Sequence, residues 1–370
     1  MTNNLITCIE IYKLTIKLKQ PFKISLGILT HAENIVVKIH TQQGIIGFGE
    51  CSPFLSINGE SIDTCYIVGQ YLAKKLKGMD ALNIAANIQA MDTVIYGNHS
   101  IKSAFDMALY DIAAKHANLP LYAFLGGSNN KKITTDYTVS FDTADKMAAD
   151  ALWIQQNGFS IIKVKLGGTA AADIERIQKI RAAVGMQIPI RIDANQGWDV
   201  PTAIEILTAL APYNIQHCEE PIPRWNYMQL PYIHANSPIK IMADESCCSQ
   251  HDAARLVQIN ACNLLNVKLG KSGGIFNALQ IIAVAEKNNM HLQVGGFLES
   301  SLAFTAAAHL ALCSNTIIYY DFDTCLMFEH NPVCGGITYN TFGEIKVPET
   351  IGIGASIDEA YLATLPSVVI

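Results

Sequence analysis

Ile161-Ile162-Lys163-Val164-Lys165 is an apolar run carrying a charge at every second position. Side chains of a β-strand alternate between faces, so Lys163 and Lys165 share one face while Ile162 and Val164 share the other. The pattern recurs downstream. Ile190-Arg-Ile-Asp-Ala-Asn195 carries Asp193, Gln216-His-Cys-Glu-Glu-Pro221 carries Glu219, Ile241-Met-Ala-Asp-Glu-Ser246 carries Asp244, and Leu265-Asn-Val-Lys-Leu-Gly270 carries Lys268. Successive steps from Lys165 are 28, 26, 25 and 24 residues, each the length of one strand–helix unit.

Extending the same reading gives eight strand candidates, at 134–140, 161–166, 190–194, 215–219, 239–243, 263–268, 291–295 and 317–321. Helical segments lie between them, such as Asp173–Val184, ended by Gly185, and Phe276–Lys287. Eight alternations predict a closed parallel barrel. No amphipathic helix follows the eighth strand, so the expected fold class is α/β, a modified TIM barrel of (β/α)7β form. Upstream, Ile6–Leu18, Asn34–Thr41 and residues 44–50 read as strands and Ser103–Lys115 as a helix, before Leu125-Gly-Gly-Ser128 interrupts the pattern. The expected organisation is an α+β capping domain at 1–130, the barrel at 131–325, and a tail at 326–370 returning to the cap.

Composition narrows the function classes. A formal net charge of −6 without a basic stripe argues against a nucleic-acid partner. No apolar stretch approaches the roughly 20 residues of a membrane span, and Met1–Glu10 is too polar for a signal peptide. The ten cysteines include no CxxC pair, and adjacent Cys247 and Cys248 read as reduced core thiols. The expectation is a cytoplasmic protein acting on a small molecule. Symmetric homo-oligomers are common among proteins, and the sequence leaves the oligomeric state open.

Helices cover the outside of a parallel barrel, so the aliphatic parity faces outward and the charged parity faces the barrel interior near its C-terminal mouth. A single interior Lys or Asp is readily structural. Five charges gathered at one end are costly to bury unless they pair or hold a metal. Asp193, Glu219 and Asp244 fall on neighbouring strands, the third, fourth and fifth. Their all-oxygen ligand set suits Mg²⁺, with Mn²⁺ as a substitute, rather than Zn²⁺. Lys165 on the second strand and Lys268 on the sixth face each other across the barrel with the metal between them. Opposed bases beside a divalent ion suit proton abstraction α to a carboxylate, with the metal stabilising the enediolate and a proton returning on the other face. Lys163 is expected to favour the neutral form of Lys165 or to bind a carboxylate oxygen; alternatively it is an interior cation paired with Asp193. Asp321 and Asp323, at inward parity on the eighth strand, are expected half a turn from the metal, too far to share it. There they suit a positive group at the far end of a zwitterion about the length of a dipeptide.

These residues resemble the enolase superfamily, and within it the muconate-lactonising-enzyme subgroup, over nearly the whole chain. Lys163-Val-Lys165 resembles the subgroup's KxK, Asp193, Glu219 and Asp244 its three Mg²⁺ ligands, and Lys268 in Lys-Leu-Gly its second base. Asp321-Phe-Asp323 resembles the DxD of the subgroup's dipeptide epimerases, where the pair binds the substrate α-ammonium. The resemblance further implies that Thr138, Gly296 and Leu298 touch the dipeptide, and that Pro21-Phe-Lys-Ile-Ser-Leu-Gly27 is a mobile loop over the site. Epimerases of this kind selective for Ala-Glu carry an Arg where this chain has Gly27. With Ile24, Leu26, Ile28, Phe54 and Ile57 nearby, the expected substrates are Ala-X dipeptides with X small, apolar or uncharged, unless Lys23 replaces the missing cation. Three alternatives remain open. A muconate cycloisomerase or o-succinylbenzoate synthase would use the same lysines and metal on substrates without an ammonium. A metal-free Schiff-base lyase would leave three carboxylates without a purpose. A binding protein without activity would retain a complete set of lysines and carboxylates to no end.

Overall fold

Leu14, Ile16 and Leu18 are buried and alternate with the more exposed Lys13, Thr15 and Lys17, which seats one face of a long strand on a core. This strand, β1 (Ile6–Ile24), pairs antiparallel with β2 (Gly27–Thr41), which pairs in turn with β3 (Ile46–Cys51). The computed structural model describes residues 4–370, so the first three residues of the polar Met1–Glu10 stretch lie outside it. The end of the chain, Ser367–Val369, adds a fourth strand beside β1. Helices α1 (Ile62–Leu76) and α3 (His99–His116) pack on this sheet, and α2 (Ile84–Val94) packs against both of them.

The barrel strands are β4 (Tyr137–Val139), β5 (Ile162–Lys165), β6 (Ile190–Asp193), β7 (Ile215–Glu219), β8 (Ile241–Ala243), β9 (Leu264–Lys268), β10 (His291–Gly295) and β11 (Ile317–Tyr320). They form one parallel sheet in chain order. Its two edges meet where Asp136 N–H reaches Tyr320 O (3.4 Å) and Phe322 N–H reaches Thr135 Oγ1 (2.8 Å). Helices lie between successive strands, several with side-chain caps: Thr143, Asp199 and Ser249 each accept from the third residue on. After β11 come a short 3₁₀ turn and small strands, so the eighth unit lacks its helix.

Three of the ties between the cap and the barrel bear on the site. Buried Glu50 on β3 accepts from Asn34 Nδ2 (2.7 Å), Ser300 N (2.9 Å), Ser300 Oγ (2.6 Å) and Ala303 N (3.1 Å), anchoring the helix Ser301–Ala311. Arg224 Nη1 donates to Ile57 O (2.7 Å). The third tie is the segment expected to lie over the site. Pro21–Gly27 is the tip of the β1–β2 hairpin, with Phe22 opposite Leu29, Lys23 opposite Ile28 and Ile24 opposite Gly27. Phe141 N–H reaches Lys23 O (2.9 Å), and Ser25 Oγ reaches Asn195 O (3.1 Å). None of the described helices is long and apolar enough to cross a membrane.

Candidate active site

Parallel register brings the predicted residues side by side. Lys165, Asp193 and Glu219 are register partners on β5, β6 and β7. Asp244 follows β8 directly, and Lys268 ends β9. The three carboxylates are flanked by ammonium groups: Lys165 Nζ is 2.6 Å from Asp193 Oδ2 on one side, and Lys268 Nζ is 2.6 Å from Asp244 Oδ2 on the other. Lys163 Nζ lies 2.8 Å from Glu219 Oε2 and 3.3 Å from Asp193 Oδ2. All these groups are buried. Burial opposes the charge on Lys163, yet Asp321, Glu219 and Asp193 hold its pKa well above the usual lysine range. Burial likewise works against Glu219, but Lys163 and Lys268 keep it well below the carboxylate range.

The donor set fits a hard divalent cation. Asp193, Glu219 and Asp244 offer oxygen only. Both Asp244 carboxylate oxygens are buried and accept no well-directed hydrogen bond, and they face the ammonium groups of Lys268 and Lys271, the latter at 2.8 Å, and the neighbouring Glu219 carboxyl. Asn195 Oδ1 is also buried without a partner. Among the described residues, the three carboxylates whose oxygens approach within 4.8 Å of one another are Asp136, Asp321 and Asp323, not the predicted trio, among whose members the ammonium groups of Lys163, Lys165 and Lys268 are interspersed.

Asp321 and Asp323 stand closer to that trio than expected. One ammonium joins them to it: Lys163 Nζ is 2.8 Å from Asp321 Oδ2 as well as from Glu219 Oε2. Asp323 Oδ2 accepts from Thr138 N (2.6 Å), while its Oδ1 is buried without a partner. Burial and the neighbouring Asp321 push the Asp323 pKa up to about 7. Asp136 is held by Arg191 Nη1 at 2.7 Å. A buried, partly unmatched carboxylate of this kind is stabilised by a cation.

A small cavity of about 30 Å³ opens between these groups, lined by Lys165, Lys268, Asn195, Thr138, Asp321 and Thr324, by Gly296 and Leu298, and by apolar Phe22, Ile24, Phe54, Ile57 and Phe297. Thr138, Gly296 and Leu298, expected from the resemblance to touch the dipeptide, thus line this cavity. Gly296 is sterically required, since a Cβ there would meet Phe304 at 2.4 Å and Glu299 at 2.5 Å. Gly27, Leu26 and Ile28 do not line the cavity; Leu26 and Ile28 face solvent. Gly27 has φ +149, which L side chains rarely adopt. Lys23 is engaged by Asp142 at 2.6 Å and lies outside the cavity.

Three residues at the site escaped the sequence reading, and a fourth, Phe22, figured in it only as part of the Pro21–Gly27 segment. Asn266 Nδ2 donates to Glu219 Oε1 (2.9 Å) and Gln293 Nε2 to Glu219 Oε2 (3.2 Å). Lys271 caps the carbonyls of Cys247 (2.8 Å) and Asn266 (2.7 Å) while touching Asp244. Phe22 covers the mouth, with Lys165 Nζ 6.0 Å from its ring centroid. The signal available for the amides was parity: Asn266 stands two residues before Lys268, and Gln293 two before Gly295.

Comparison with known proteins agrees with this geometry. Residues 7–126 match the mandelate racemase / muconate lactonizing enzyme N-terminal domain, and residues 146–361 match the enolase C-terminal domain-like family. The D-Ala-D/L-Ala epimerase of Cytophaga hutchinsonii is 62% identical over 366 residues, covering 99% of this chain and 100% of that protein. The L-Ala-D/L-Glu epimerase of Bacillus subtilis is 37% identical, covering 94% of this chain and 95% of that protein. The Cytophaga hutchinsonii dipeptide epimerase, solved with Mg and D-Ala-L-Val, superposes with a TM-score of 0.98 at 62% identity, covering 99% of this chain and 100% of the other. An Enterococcus faecalis dipeptide epimerase, solved with Mg and L-Leu-L-Tyr, gives 0.92 at 34% identity, covering 95% and 99%. By sequence and by fold the chain belongs to the mandelate racemase / muconate lactonizing enzyme family of the enolase superfamily, among its dipeptide epimerases.

Proposed function

We propose that this chain is a Mg²⁺-dependent epimerase of Ala-X dipeptides with X small, apolar or uncharged, inverting the α-carbon of the second residue. The observation that carries this reading is the row of three buried carboxylates with a lysine at each end, facing Asp321 and the partly unmatched Asp323. Asp193, Glu219 and Asp244 would hold Mg²⁺, which would supply positive charge at the substrate carboxylate and so acidify the adjacent α C–H. Lys165 and Lys268 serve opposite faces of the α-carbon, one removing its proton and the other returning one. Lys163 stays charged, joining the two halves of the site and facing a substrate carboxylate oxygen. Asp321 and Asp323 hold the α-ammonium, and Thr138 orients Asp323. A cytoplasmic role in turnover of cell-wall or dietary peptides is compatible with such substrates.

The preference for an uncharged second residue rests on the lining. Apart from Lys165 and Lys268, no cation lines the cavity, while Ile24, Phe54, Ile57 and Leu298 do. A γ-carboxylate buried there would lack a partner. Turnover of Ala-Ala and Ala-Val should exceed that of Ala-Glu by roughly 10- to 100-fold in kcat/KM. A preference for Ala-Glu measured on the same enzyme would sink this choice of substrate. The related structure with D-Ala-L-Val points the same way.

Glu219 is expected to depend on its two amides. Asn266→Leu removes the donor to Oε1 and leaves the carboxylate free to rotate. Mg²⁺ affinity, read by isothermal titration, should fall roughly 10- to 100-fold, and excess Mg²⁺ should restore part of the activity. Unchanged Mg²⁺ affinity would refute this positioning role.

A further inference from the structure

Two cavities meet at the ring of Phe22. One is the site cavity; the other is a groove of about 600 Å³ beneath the hairpin tip, running between β4 and the helix Ala144–Gln156. Phe22 and Thr138 line both. Phe22 is buried and held in the hairpin opposite Leu29. Thr138 is the residue whose N–H holds Asp323, so the groove begins beside the carboxylates assigned to the substrate ammonium. The α-carbon of a dipeptide's first residue lies about 1.5 Å from that nitrogen. Any side chain on it longer than a methyl therefore starts at the boundary between the two cavities.

The groove has an apolar floor of Tyr137, Val139, Trp153, Ile154 and Met327. Its charges are already engaged. Lys23 pairs with Asp142 at 2.6 Å, Lys146 with Asp150, and Lys19 Nζ donates to Leu326 O at 2.9 Å. Such a surface favours burial of an apolar group and offers nothing unpaired to a charged one.

We propose that Phe22 is the wall that shuts this groove off from the site and so restricts the enzyme to a small first residue, the groove being the space a larger apolar side chain there would occupy. The proposal rests on the assignment of the ammonium to Asp321 and Asp323. Removing the ring joins the two cavities and admits a large apolar first residue.

The test is kcat/KM for Ala-Ala, Leu-Ala and Phe-Ala, followed by deuterium incorporation in D₂O, for the native protein, Phe22→Ala, Phe22→Leu and Phe22→Ala/Trp153→Lys. The native enzyme should prefer Ala-Ala to Leu-Ala by roughly 100-fold. Phe22→Ala should shift that ratio toward Leu-Ala by at least about tenfold, and Trp153→Lys in the same chain should reverse the shift. If Phe22→Ala does not fold, as read by thermal unfolding, Phe22→Leu reports the same ratio with a smaller shift. Native turnover of Leu-Ala equal to that of Ala-Ala, or a ratio unmoved in both Phe22 variants, overturns the proposal. Absence of α-deuterium exchange from every dipeptide in the native protein is a different result, and refutes the epimerase reading itself.

Discussion

Lys165→Ala and Lys268→Ala should each abolish epimerisation, with kcat falling by about 10³-fold or more, because each removes the proton carrier for one face of the α-carbon. Neither change should unfold the protein. Without Lys165, Asp193 Oδ2 still has Lys163 at 3.3 Å; without Lys268, Asp244 Oδ1 still has Lys271 at 2.8 Å. No buried carboxylate is left without a countercharge, the situation that makes loss of one ion-pair partner so destabilising. The two variants should differ in a way that kcat alone does not show. Each retains one base, so each should exchange the α-hydrogen of one stereoisomer with D₂O and leave the other untouched, with opposite selectivity in the two variants. Lys268→Arg separates charge from proton transfer, since a guanidinium keeps the charge but does not give up its proton. It should be as inactive as Lys268→Ala. Exchange of both stereoisomers by both alanine variants would overturn the two-base assignment.

Strand parity and spacing were enough to read the barrel, because a parallel strand covered by helices must alternate aliphatic and interior residues, as Ile162–Lys165 and Ile190–Asp193 do. Side-chain reach was not legible. Asp321 was expected to be remote from the metal carboxylates, yet β5 and β11 flank the same strand, β4, and an extended lysine on one spans to the other. The segment Pro21–Gly27, expected from the resemblance to be a mobile loop over the site, forms the tip of a hairpin, with Pro21 at an irregular stretch of register between Lys17 and Phe22. Asn266 and Gln293 went unnoticed, and Phe22 was not singled out within its segment, for another reason. Neutral amides and a lone aromatic carry no charge pattern, and only the tertiary contacts show that two of them hold Glu219 and that the third covers the mouth.

Asp323→Asn should cost roughly 100-fold in kcat/KM for Ala-Ala, close to the 3 kcal/mol typical of breaking a buried charged hydrogen bond. The loss should appear mainly in KM, since the ammonium is bound equally in the ground and transition states. Asparagine keeps the size of the side chain and can still accept from Thr138 N–H, but it replaces the unmatched oxygen with an amide that points hydrogens at an ammonium. The pH profile gives a sharper test. Burial and Asp321 raise the Asp323 pKa to about 7, so in the free enzyme the proton leaves as pH rises through that value. Only the ionised form attracts an ammonium, so kcat/KM should rise with pH across an acid limb near 7. The substrate α-ammonium itself loses its proton at about pH 8, which limits the gain on the alkaline side. In Asp323→Asn the acid limb attributable to this carboxylate should vanish, leaving a flatter profile. A variant with native kcat/KM would remove the reason for placing an ammonium on this strand, and would return the site to substrates that carry none, such as those of a cycloisomerase.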